Sequence, residues 1–239
     1  RERVPPRERT QWGENEEVAA FNLAQLLANV GRDEEAAQAY RDFLAREPNN
    51  TTAKINLAVV LTRQEKAAEA GELYAQLLND PNLSDREYFM IGVGLFRADQ
   101  FDRSREAFRK ALSLNPYLRD AKYNLAQSLY VRSTDLEQTR QDAKGAEQTA
   151  AGEELAQVYE ELRKITEDLR QYDPLNRNVL LLLARAYRGL ADVATDAAVS
   201  DEWRDKALAL LSEQEEMAFE VSEIEMQGQD KKVEVRGNV

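Results

Sequence analysis

The chain has no cysteine and no histidine. Zinc sites of the Cys/His kind are therefore excluded. So are cysteine nucleophiles and any catalytic triad that relies on imidazole. Without cysteine there is no disulfide argument for or against a compartment. Glycine and proline are sparse, at 10 and 6 of 239 residues, which disfavours both an all-β fold and a disordered chain. No Gly-rich phosphate loop is present. No apolar run reaches the roughly 18 residues that a membrane-spanning helix needs. The longest candidate, Val179 to Ala184, is flanked by Arg177 and Arg185. Positive charge is also short: the formal net charge is −12. Duplex nucleic acid is disfavoured as a partner, because phosphate binding needs clustered positive charge. The paired acids Glu34-Glu35, Glu153-Glu154 and Glu215-Glu216 read as solvated helix faces and not as acid/base pairs. Nothing in the residues supports an enzyme, a cofactor or a metal site.

What the chain does have is a period of 34 residues. A ruler started at Glu17 marks Leu23-Ala24, Leu27, Ala36, Tyr40, Phe43 and Pro48. Started at Thr51, it marks Leu57-Ala58, Leu61, Ala70, Tyr74, Leu77 and, one residue early, Pro81. Started at Asp85, it marks Ile91-Gly92, Leu95, Ser104, Phe108, Ala111 and Pro116. A start at Arg119 gives Leu125-Ala126 and Leu129 before the register breaks. Within each repeat the apolar residues fall at i, i+3, i+4 and i+7, as in Ala20, Leu23, Ala24 and Leu27, which predicts two amphipathic helices. The small residues Ala24, Ala58, Gly92 and Ala126 let paired helices approach closely. Gly31 supplies a permissive turn, and the closing prolines stop the second helix.

This pattern resembles the tetratricopeptide repeat. The resemblance implies an all-α, right-handed α-solenoid of about five helix pairs over residues 16–213. Repeats fall near 17–50, 51–84, 85–118, 119–176 and 177–213. The fourth is enlarged by a polar insertion, 135–151, with one elongated helix or a break near Gly145 or Gly152. Residues 1–15 read as an extended lead-in. Residues 214–239 read as a β-hairpin or the start of a β-domain, because apolar residues alternate on either side of Gly228-Gln229-Asp230. The ending Val-Glu-Val-Arg-Gly-Asn-Val resembles the opening of a bacterial immunoglobulin-like domain. The first residue is Arg1 and not methionine, so the chain is expected to be processed, excised or part of something longer; the compartment is left open, with a periplasmic or extracytoplasmic one slightly favoured over the cytoplasm.

The resemblance also implies function: a non-enzymatic interaction scaffold that holds a protein or peptide in a concave groove lined by the first helices. Carried over by repeat position, the groove residues are Phe21, Asn22, Asn56, Val59, Arg63, Arg86, Phe89, Met90, Val93, Phe96, Arg97, Tyr123, Asn124, Gln127 and Tyr130, and Ile55 falls beside them. The middle of this face is apolar and aromatic, with arginine at its rim, which is the composition of an interface. A family subtype, the carboxylate clamp for chaperone tails, is not expected. Its lysine, asparagine and arginine positions are occupied by Phe21, Gln25, Arg86 and Met90, and only Asn56 agrees. The alternative reading is an accessory subunit of a larger assembly, possibly membrane-associated, held through its insertion and termini.

Overall fold

A computed structural model describes the backbone of residues 6–212 and the side chains of residues 16–212. Those residues form ten helices and no strand, so the all-α expectation holds for them. The helices are α1 (Pro6–Asn29), α2 (Asp33–Arg46), α3 (Thr51–Arg63), α4 (Ala67–Leu77) and α5 (Asp85–Arg97). They continue as α6 (Phe101–Leu114), α7 (Arg119–Asp142), α8 (Ala146–Tyr172) and α9 (Arg177–Val193). A last helix, α10, covers residues 197–212. The chain divides into two compact units at Ala121/Lys122, inside α7. The hairpin expected over 214–239 lies outside the described residues.

In the first unit every helix from α1 to α6 packs on the next, and the first helices of successive pairs also touch, α1 with α3 and α3 with α5. The positions marked by the period form the core. Ala24, Ala36, Tyr40, Ala58, Ala70, Tyr74, Ile91 and Phe108 are all buried. Gly92 shows why the position must be small: a Cβ there would lie 2.5 Å from Cε1 of Phe108.

The period is also written in the backbone. Gly31, Glu65 and Asp99, spaced by 34, all have positive φ, at 78°, 61° and 58°. Each closes a first helix with the same pair of bonds. The amide of the following residue (Arg32, Lys66, Gln100) donates to the carbonyl five back (Leu27, Leu61, Leu95) at 2.9–3.0 Å. This is the Schellman arrangement, which favours glycine at the left-handed position. Only Gly31 is suited to it; Glu65 carries a Cβ into a region costing about 1–2 kcal/mol. Glu65→Gly is therefore expected to stabilise the protein by about 0.5–1 kcal/mol and Asp99→Gly by less, since aspartate tolerates this region better. Urea unfolding of the two variants checks this. Helix starts are signalled as well. The Asn50 side chain accepts from the Ala53 amide at 2.8 Å, and Ser84 forms a capping box with Glu87.

Two expectations meet differences here. The lead-in read as extended over 1–15 is helical from Pro6, which sits at the first helical position, where its fixed φ fits and its missing N–H is not needed. Leu23, marked as a core position, is 53% exposed. Among the described residues no helix packs on the far side of α1, so the residue that meets a preceding repeat in the later copies meets solvent here.

In the second unit α7 and α8 run antiparallel. They are joined by Lys122 to Asp168, by Arg132 to Glu154 at 2.6 Å, and by the Tyr159 hydroxyl donating to Glu137. Of the two breaks left open by the sequence, Gly145 is the one used, with φ 63°, while Gly152 lies inside α8. Glycine is suited to this turn, and the polar insertion becomes the distal ends of α7 and α8. Helix α9 packs on α8, with Gly189 against the Tyr159 ring, where a Cβ would lie 2.2 Å from Cζ. Leu180, Leu183, Tyr187, Ala207 and Leu210 join α9 to α10, and Trp203 stacks on Tyr187 at 5.4 Å.

Candidate functional site

Helices α3 and α5 lie side by side in the first unit and present an open pocket of about 170 Å³. Val59 and Thr62 come from α3, Tyr74 from α4, and Phe89, Met90, Val93, Gly94 and Arg97 from α5. Five of these, Val59, Phe89, Met90, Val93 and Arg97, belong to the face expected from the sequence. On an α-helix 89, 93 and 97 lie four apart, and 90 and 97 seven apart, so one stripe of α5 supplies the wall.

Three lining residues were not anticipated: Thr62, Tyr74 and Gly94. Gly94 shapes the pocket, because a Cβ there would lie 2.1 Å from Cε2 of Tyr74. The buried tyrosine ring thus reaches the pocket over a bare stretch of α5 backbone. A sequence signal existed: glycine in a helix interior costs roughly 0.5–1 kcal/mol against alanine and implies a packing reason. Burial raises the Tyr74 pKa above its ordinary value, against smaller opposing effects of Thr62 and Arg97. The hydroxyl stays neutral and can donate. Thr62 donates its own proton to the Ala58 carbonyl at 2.8 Å.

The pocket is apolar on its floor and basic at its mouth. Val59, Phe89, Met90 and Val93 are each half-buried, and Arg97 is exposed. No ion pair involves Arg97 or the equally exposed Arg86 among the described residues. The other sequence-selected residues of this unit sit elsewhere. Phe21 packs between Tyr40 and Phe43, at 6.1 and 5.4 Å between ring centroids. Asn22 is exposed, whereas Asn56 is half-buried near the Tyr40 hydroxyl. Ile55 is core, at 2% exposure. Arg63 is held by Asp33 at 3.1 Å and donates to the Ala28 carbonyl at 2.9 Å, so it clamps α3 to the α1–α2 turn. Phe96 rests edge-on against Phe101 at 5.2 Å. Phe89 serves twice, lining the pocket and tilting against Phe108 at 6.1 Å.

Four expected residues belong to the second unit. Gln127 donates to the Tyr123 hydroxyl at 3.3 Å. Tyr130 is covered by Arg185, whose guanidinium lies 4.4 Å from the ring centroid and donates to the hydroxyl. Asn124 is half-buried and engaged. Among the described residues no group of acids could hold a metal, and no helix is long and apolar enough to cross a membrane.

Comparison with known proteins agrees with the fold. A family model described as tetratricopeptide repeat matches residues 21–84 and 89–153. Two curated human proteins align with part of the chain: protein O-mannosyl-transferase TMTC3, 34% identical over 108 residues, and TMTC1, 28% identical over 94. These alignments cover 44% and 39% of this chain but only 12% and 11% of the relatives' own lengths. Among solved structures, MamA aligns with a TM-score of 0.57 at 16% identity, covering 84% of this chain and 90% of that one. YrrB, whose structure is described as a TPR protein with an unusual peptide-binding site, aligns with a TM-score of 0.55 at 18% identity over 84% and 90%. At these identities the structural likeness speaks for the fold.

Proposed function

Because the chain belongs to the tetratricopeptide repeat family, we propose that it is a non-enzymatic scaffold whose α3–α5 pocket captures one apolar side chain of a protein or peptide partner. The observation that carries this reading is the half-exposed cluster Val59, Phe89, Met90 and Val93 around an open pocket that Arg97 also lines. Apolar surface of this kind is worth about 25 cal/mol per Å² when covered. At about 170 Å³ the pocket falls below the 300–1,000 Å³ of a site for a drug-sized ligand and suits a single side chain. The basic mouth in a chain of net charge −12 favours a partner with an acid beside its apolar anchor. The peptide-binding site named for YrrB supports the same use of the fold.

Peptide display on the immobilised full chain tests this. The selected peptides are expected to share one medium apolar residue flanked by Asp or Glu. Phe89→Ala combined with Arg97→Glu should weaken them at least tenfold, or about 1.4 kcal/mol. Phe89 also touches Phe108, so circular dichroism must show unchanged helicity, and Arg97→Glu alone should still weaken binding several-fold. The control is Glu153→Lys, exposed on α8. Glu154 is avoided because it pairs with Arg132. Peptides that bind both arginine variants as well as the wild type would sink the reading.

A further inference from the structure

A second opening lies in the second unit, between α9 and α10, with a volume of about 660 Å³. Its apolar lining includes Leu181, Ala184, Leu208 and Leu211. Leu208 and Leu211 are 60% and 41% exposed, an unusual state for two leucines one turn apart on the last described helix. Arg188 and Arg204 stand in the same lining. Arg188 has no ion pair among the described residues, and Arg204 reaches only the exposed Asp201 at 3.3 Å. Among the described residues Asp192 is the single acid in the lining, so that surface is basic in a strongly acidic chain.

The sequence that follows α10 is the complement of this surface. Residues 213–226 hold six glutamates and no lysine or arginine, interleaved with Met217, Phe219, Val221, Ile224 and Met226. This segment begins two residues after Leu211, so it is tethered to the groove. A short tether gives an effective concentration in the millimolar range, enough to fill a site of modest intrinsic affinity. We propose that residues 213–226 of this same chain dock in the α9–α10 groove, with their apolar side chains on Leu181, Leu208 and Leu211 and their glutamates toward Arg188 and Arg204. The groove is then occupied by the chain itself, and another acidic, apolar segment enters only by displacing it.

The test uses the full chain and a fluorescein-labelled synthetic peptide with the sequence of residues 213–226. In the wild type the groove is filled; in Phe219→Asp/Ile224→Asp it is vacated. The peptide should bind the double variant at least tenfold more tightly than the wild type. Adding Arg188→Glu and Arg204→Glu to the double variant should remove that binding, with helicity unchanged in each protein. Equal binding to wild type and double variant, or binding to neither, overturns the proposal. A second measurement needs no variant: amide hydrogens of 213–226 should exchange more slowly in the full chain than in the free peptide, and equal rates overturn the docking. A concentration-dependent dimer abolished by Phe219→Asp/Ile224→Asp would place the segment in a second copy and overturn the intramolecular assignment.

Discussion

Gly92→Trp is expected to unfold the first unit. A single Cβ at this position would already lie 2.5 and 2.6 Å from the Phe108 ring, and Phe108 has no exposed surface into which to swing. Real side-chain contacts are not made at such distances, so the ring and the indole compete for one volume between α5 and α6. Overpacking typically costs about 1–3 kcal/mol, and an indole against a fixed ring belongs at or beyond the top of that range. Ala58→Trp should behave similarly, because Ala58 is fully buried on α3. The measurement is thermal and urea unfolding followed by circular dichroism. A midpoint within error of the wild type for both variants would mean that the helices are not paired as described. Gly152→Ala is the mild counterpart: a Cβ there meets only the flexible Arg140 side chain, at 3.8 Å, and a gain in helix propensity of up to about 1 kcal/mol is expected.

The second large effect is alkaline unfolding centred on the α8–α9 contact. Burial, reinforced by donation to Glu167, pushes the Tyr187 hydroxyl up to about 12, and burial with donation to Glu137 raises Tyr159 further. Tyr40 and Tyr74 are also raised by burial. An unfolded tyrosine titrates near 10. Between that pH and the folded value the unfolded chain gives up protons that the folded chain keeps, so stability is intact below about pH 10 and falls as pH rises through 12. For Tyr187 alone, discounted for solvent screening of a partly open hydroxyl, the loss is about 1 kcal/mol. Stability measured from pH 9 to 12 should drop steeply, and Tyr187→Phe, which has no proton to lose, should shallow that drop. A flat profile to pH 12 in the wild type would contradict the burial of these hydroxyls.

The sequence carried the repeat architecture because repetition is a one-dimensional signal. Tyr40, Tyr74 and Phe108 recur at spacings of 34, and each proved buried. The helix stops at Gly31, Glu65 and Asp99 share the spacing, yet only Gly31 advertised itself, since the later copies meet the same backbone demand with residues that do not look like turn formers. The pocket lining was legible where a helix face alone decides the environment, as for Phe89, Met90 and Val93. It was not legible where a second element decides it. Phe21 is claimed by Tyr40 and Phe43, Phe96 by Phe101 on the next helix, and Arg63 by Asp33, thirty residues away. Repeat position says which way a side chain points and is silent on what it meets. Tyr74 shows the converse: it reads as pure core, and borders the pocket because Gly94 lets its ring pack directly against the α5 backbone.

The serial packing of the first unit has a consequence for how it opens. Each helix leans on its immediate neighbours and on the first helix of the next pair, and nothing ties α1 back to α6 among the described residues. Such an array lacks a single cooperative centre and behaves as a chain of nearest-neighbour couplings. Its opening free energies should therefore be graded along the sequence. Helix α1, with Val18, Leu23 and Leu26 each more than half exposed, is the weakest link. It should detach while α3 to α5 remain folded, so partial unfolding of this unit spares the pocket until last.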